Sequence, residues 1–238
     1  MLRSTMRLLL PGILCLSLFS SCSLTCTRGE GPVVDDHRKL DRFDRIQLNF
    51  DARISIHKGD VPGLVIHAQE NLLNEIVTKE SGGKLELNSE SCMEVDEPVR
   101  IEITVPDLRE LEVTGSGDIV LLDTFMVETI ELSVTGSGSI HGRLVAARIE
   151  SEVTGSGDIV LEGSANEQVI DITGSGDVKA MALPCNTADV DVTGSGDAYL
   201  YVIKQLDAEV SGSGTIHYKG KPAMKSEVNG SGKVVDEN

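Results

Sequence analysis

One phrase of seven residues, Val113-Thr114-Gly115-Ser116-Gly117-Asp118-Ile119, recurs through the second half of this chain and restricts it to stacked architectures. Further copies begin at Val134, Val153, Ile172, Val192, Val210 and Val228, which makes seven in all. The first glycines of the copies are Gly115, Gly136, Gly155, Gly174, Gly194, Gly212 and Gly230, so the period stays between 18 and 21 residues. Chance Gly-Ser pairs do not keep such register.

Each copy alternates with period two, the signature of a strand. Val113, Gly115, Gly117, Ile119 and Leu121 fall on one face, and Thr114, Ser116, Asp118 and Val120 on the other. The apolar members must face a core. Both glycines are therefore expected to face it too, at a sharp bend where no side chain fits. A helix is excluded, because each glycine would cost it ~1 kcal/mol. A single strand–bend–strand unit cannot bury its apolar side, but units stacked ~4.8 Å apart close into a tube filled with Val, Ile, Leu and Ala. The predicted fold is all-β: a parallel β-helix, or β-solenoid, with rungs of 18–21 residues. Thr114, Thr135, Thr154, Thr173, Thr193, Ser211 and Asn229 should form one outward ladder, and the serines between the glycines a second.

Residues 107–238 make up this regular part. The stretch 40–106 lacks the glycine phrase but has strand-like runs at Arg45 to Phe50, Gly63 to Ala68, Lys84 to Leu87 and Pro98 to Val105. One short helix is expected from Asn71 to Ile76. Open rungs expose unpaired backbone, so 40–106 is read as irregular rungs that begin or cap the solenoid.

At the N-terminus, Arg3 and Arg7 precede an apolar run from Leu8 to Phe19, the pattern of a secretory signal. The run is too short to span a bilayer, which needs ~20 apolar residues. Ser20 and Ser21 before Cys22 resemble a bacterial lipobox, with Phe19 where Leu is usual. That resemblance implies that residues 1–21 are removed and that Cys22 carries diacylglycerol, which makes a membrane the first expected partner. An ordinary cleaved signal with a free cysteine is the alternative. Residues 22–39 hold Gly29, Gly31 and Pro32 without an apolar period and are expected to be a flexible tether. Cys26, Cys92 and Cys185 remain after Cys15 leaves with the signal, and none forms a C-x-x-C pair, so no zinc or thioredoxin-like site is indicated. Cys92 and Cys185 could be bridged in an oxidising compartment; the sequence leaves this open.

Charge narrows the partners further. Lys plus Arg number 21 against 38 Asp plus Glu, a net charge of −17 that falls to −19 once Arg3 and Arg7 are removed. Such a field repels phosphate backbones and argues against nucleic acid.

The opening Phe43-Asp44-Arg45-Ile46, then Ile54-Ser55-Ile56-His57-Lys58-Gly59-Asp60, Glu70-Asn71-Leu72-Leu73 and the closing Val-Thr-Gly-Ser-Gly-Asp copies resemble one exported bacterial family. It is named for a putative auto-transporter adhesin head (GIN) domain and is common in Bacteroidetes-type bacteria. The resemblance covers about residues 40–235. It implies a right-handed β-helical fold and an outer-membrane or periplasmic lipoprotein, facing the periplasm or the cell surface.

Three kinds of chemistry are suggested by the residues and then weakened by them. Gly-Ser-Gly-Asp is similar to calcium-binding β-roll repeats, but the Asp position holds Ser139, Thr215 and Lys233 in other copies. Asp158, Asp177 and Asp197 lie on consecutive rungs, near the spacing of retaining glycosidase carboxylates. They belong to the repeat, though, and no His, Tyr or Arg stands in register to complete a mechanism. His37, His57, His67, His141 and His217 show no metal-ligand spacing, and Gly-Ser-Gly is not a nucleophile elbow. No catalytic residue, metal or cofactor is expected. The leading expectation is a non-enzymatic envelope lipoprotein of the adhesin kind that binds a protein or, less readily, a glycan, with Tyr199 and Tyr201 as the exposed contact patch. A polysaccharide-active enzyme using the Asp158, Asp177 and Asp197 wall is the rival, and a passive envelope spacer the third reading. The ligand and the oligomeric state stay open.

Overall fold

The computed structural model describes residues 26–95 and 97–238, so the signal and Cys22 lie outside the described residues. From Asp118 onward the chain is a β-solenoid. Five long strands, Asp118–Gly136, Ser139–Gly155, Asp158–Gly174, Asp177–Gly194 and Asp197–Gly212, each run most of the way around one rung. All pair in parallel with the next, and Gly115, Gly136, Gly155, Gly174, Gly194, Gly212 and Gly230 stand in register.

Register follows from the alternating pattern, since a slip of one residue would turn every core side chain outward. Val113, Val134, Val153, Ile172, Val192 and Val210 stack as one buried column. Ile119, Ile140, Ile159, Val178, Ala198 and Ile216 stack as another. Full burial contributes ~1.5–3 kcal/mol for each side chain of Val or Ile size. Among the described residues, two polar side chains interrupt the core, Ser151 and Gln168. The Gln168 amide donates to the Leu183 carbonyl at 3.3 Å.

The corner differs from the expectation that both glycines face the core. Only the second does. Gly138 is buried, and a Cβ there would strike the Gly117 carbonyl and lie 2.6 Å from Val113 Cγ1. The first glycine turns the corner: Gly136 is half-buried, has φ +123°, and an added Cβ would run into Gly115 of the rung below. Bonds along the stack run through the backbone here, as the Ser137 N–H donates to the Gly115 carbonyl at 2.8 Å and the Ser156 N–H to Gly136 at 2.8 Å.

Two more rungs lie in the N-terminal region, out of chain order. The strands Arg45–Leu48 and Arg53–Lys58 pair in parallel with Glu110–Gly115 and with the start of Asp118–Gly136. Beneath them lie Lys84–Ser89 and Arg100–Val105, also parallel. Antiparallel strands then cover the end: Ile76–Ser81 on Lys84–Ser89, Gly63–Gln69 on Arg100–Val105, and Val33–Arg38 on Gly63–Gln69.

This cap corrects three expectations. The tether read over residues 22–39 is structured from Cys26 on, because Val33–Arg38 is a strand and Arg38 donates to the Ile76 and Leu73 carbonyls. The short helix is a single 3-10 turn, Glu70–Leu72, followed by a strand from Ile76. The disulfide joins Cys26 to Cys92, beside the parallel pairing of Thr27–Arg28 with Met93–Glu94, and Cys185 is a free buried thiol.

Candidate functional site

After each Gly-Ser-Gly corner the chain enters a wall on which Asp118, Ser139, Asp158 and Asp177 are stacked in register, and Asp197 pairs with Thr215. Asp158 Oδ1 accepts the Asp177 N–H at 3.2 Å, Asp177 Oδ1 the Asp197 N–H at 3.1 Å, and Asp197 Oδ1 the Thr215 N–H at 2.7 Å. Each carboxylate therefore ties one rung to the next. Lys179 Nζ bridges two of them, 2.8 Å from Asp158 Oδ2 and 3.2 Å from Asp177 Oδ2, and the hydrogen bond to Asp158 raises its pKa. An acid–base pair needs carboxyl oxygens free to exchange a proton with a substrate. Here one oxygen of each Asp holds backbone.

Two residues beyond the Asp column, Tyr199 stacks on His217 of the next rung, with ring centroids 4.7 Å apart and planes 3° from parallel. The separation matches the rung spacing, so the rings lie along the stack and turn their edges outward. The His217 Nδ1–H donates to Glu237 Oε1 at 2.7 Å. Partial burial, then the charges of Asp197 and Asp177, raise the Tyr199 pKa. Tyr201 is 39 % exposed, with Ile203 at the next outward position 50 % exposed. The structure thus places Tyr199 and Tyr201 on one outward strip. The reading of the sequence missed His217, although it follows Thr215 by the same two residues that separate Tyr199 from Asp197.

The wall before the corner carries a second feature that the sequence reading missed. Two and four residues ahead of the outward ladder, acids stack in two columns, one broken at Val169 and the other at Ser133. One holds Glu110, Glu131, Glu150, Asp189 and Asp207, and the other Glu112, Glu152, Asp171, Asp191, Glu209 and Glu227. Like charges stacked in register oppose the pairing. At one end Lys84 Nζ lies 2.8 Å from Glu110 and 2.9 Å from Glu112, and at the other Lys225 Nζ lies 3.1 Å from Asp207. Arg148 pairs with Glu150 and Glu167. Between these cations, burial and neighbouring acids raise the Asp171 and Asp191 pKa values. Among the described residues, no three His, Cys, Asp or Glu side chains gather closely enough to hold a metal ion.

A parallel stack of rungs that carries side-chain ladders along its length defines the chain as a β-solenoid. It belongs to the family described as putative auto-transporter adhesin, head GIN domain, which matches residues 42–222. The crystal structure of a putative adhesin from Bacteroides fragilis is similar with TM-score 0.83 at 23 % identity, over 88 % of this chain and 99 % of that one. A putative lipid binding protein from Parabacteroides distasonis gives 0.75 at 23 % identity, over 90 % and 100 %. A putative adhesin from Parabacteroides merdae gives 0.72 at 21 % identity, over 89 % and 99 %. At these identities the likeness shows the fold. No curated protein matches the sequence.

Proposed function

We propose that this is an envelope protein of the adhesin kind, held to a membrane by lipid on Cys22, that binds a surface partner without catalysing a reaction. Membership of an adhesin family supports the first part. The hydrogen bonds from Asp158, Asp177 and Asp197 to the backbone of the next rung support the second, because they give the acidic wall a structural task.

The observation that carries the contact patch is the Tyr199–His217 stack beside exposed Tyr201 and Ile203. Tyr combines a large apolar body with a polar tip, the composition of contact hot spots. Sugars pack on ring faces, whereas these stacked rings show solvent their edges. The patch therefore suits a protein partner better than a glycan. Beads coated with the purified chain should adhere to a panel of immobilised matrix and envelope proteins, and the pair Tyr199→Ala, Tyr201→Ala should lower adhesion at unchanged folding. Unchanged adhesion would remove the patch. Hydrolysis of any glycan that is lost in the Asp158→Asn, Asp177→Asn, Asp197→Asn triple variant would favour the enzyme reading instead.

A further inference from the structure

The two ends of the solenoid are finished differently. Antiparallel strands cover the N-terminal rungs. At the other end the strand Ala223–Gly230 pairs only with Gln205–Gly212 among the described residues, and its outer edge is open. It still carries the inward pattern of a core rung. Met224 lies on buried Leu206 and Val228 on buried Val210, yet they are 47 % and 41 % exposed. The edge of a strand is a row of unpaired backbone donors and acceptors, and proteins normally block or cover it.

We propose that this edge pairs with the same strand of a second copy, antiparallel and centred on Ser226, to join two solenoids end to end. In that register residue numbers on facing positions sum to a constant, so Met224 meets Val228 of the partner and Lys225 meets Glu227 of the partner. The two-fold axis repeats both pairs. The inward face gains an apolar contact that continues the core from Leu206 through Met224 into the other copy. The outward face gains two ion pairs. Such a contact is isologous and closes at two copies, so it makes a dimer and not a fibre.

Charge supports this partner over any other. Toward the end the acidic columns run through Asp189 and Asp207 on one side and Asp191 and Glu209 on the other, and then stop at Lys225 and Glu227. A two-fold at Ser226 joins the first column of one copy to the second column of the other. Lys225, already 3.1 Å from Asp207, would then stand between Asp207 and Glu227 of the partner. An acid at position 225 would instead set like charges directly opposite.

Sedimentation of the purified chain at ~100 µM tests the idea, a concentration suited to an interface smaller than the standard size. A concentration-dependent dimer is expected. Lys225→Glu should weaken it roughly tenfold or more. The double variant Lys225→Glu, Glu227→Lys should restore it, because the swapped pairs are again complementary. Ser226→Cys should give a disulfide-linked dimer on oxidation that the parent chain does not form, with Cys26 and Cys92 already paired and Cys185 buried. A monomer at every concentration, a dimer indifferent to Lys225→Glu, or a double variant that stays monomeric would each overturn the proposal.

Discussion

Asp177 Oδ1 accepts the backbone N–H of Asp197 at 3.1 Å, so the side chain of one rung holds the main chain of the next. The same bond recurs from Asp158 to Asp177 and from Asp197 to Thr215. Where an Asp follows the corner on these rungs, it supplies an acceptor as the chain enters a new wall. Asp177→Ala removes that acceptor and one partner of Lys179. It should lower stability by ~1 kcal/mol, while Asp177→Asn, which keeps an acceptor, should cost less. Urea unfolding of the two variants checks the order; equal losses would show that charge, and not the acceptor, matters.

Glycines inside and outside the corners differ in what they tolerate. Gly138 faces the core against the Gly117 carbonyl and Val113 Cγ1, so a methyl group there must push two rungs apart. Gly31, away from the corners, lies in the left-handed region, at φ +83°, but a Cβ would meet nothing within 4 Å. Gly138→Ala should cost ~3 kcal/mol through overpacking. Gly31→Ala should cost ~1–2 kcal/mol, from backbone strain alone. Thermal unfolding separates the two, and comparable losses would refute the close-approach argument.

How much of this was legible in the sequence depends on what kind of information each feature needs. The solenoid was, because a repeated Gly-Ser-Gly in a period-two pattern fixes the face of each apolar residue and its neighbour one period later, though not that of the first corner glycine. The N-terminal rungs were not. Alternation in Arg45 to Phe50 says which side chains point inward, but nothing local says that this strand lies between Lys84–Ser89 and Glu110–Gly115. The disulfide stayed open for the same reason: Cys26 meets Cys92 through the cap, while Cys185 belongs to a repeat rung. The acid columns were readable in principle. Glu112, Glu152, Asp171, Asp191, Glu209 and Glu227 all stand two residues before the ladder of Thr, Ser and Asn, on a wall where the glycines draw no attention.

The cysteines should respond in opposite ways to reagents. Cys26–Cys92 closes a separation of 66 residues, for which the chain-entropy account gives roughly 4 kcal/mol. Because both cysteines lie in the cap, Cys26→Ser with Cys92→Ser should speed amide exchange in Val33–Arg38 before it touches the rungs after Asp118. Cys185 is fully buried, and burial pushes its thiol up to about 11. A thiol-specific dye should leave Cys185 unlabelled in the native chain near pH 8 and label it after unfolding without reductant. Labelling of Cys185 in native protein would contradict the packing around it.

Stability should fall as the acid columns ionise. Asp171 and Asp191 have pKa values raised above the ordinary 3.8, first by partial burial and then by acids on adjoining rungs. Glu152, Asp189 and Glu150 act on Asp171, and Asp171, Asp189 and Asp207 on Asp191. A carboxyl whose pKa is higher folded than unfolded binds its proton more tightly in the native state. Its contribution is thus fully favourable below about 3.8 and is lost as pH rises through the folded value. Asp171→Asn removes the charge and keeps the shape. The variant should melt above the parent near pH 7, by no more than ~1 kcal/mol because the site is largely solvated. The gain should vanish near pH 3, where the parent is protonated, and should shrink in molar salt as screening weakens the repulsion. Parallel melting curves for the two proteins across pH measure this directly. A variant no more stable than the parent at neutral pH would mean that the stacked acids do not strain the fold.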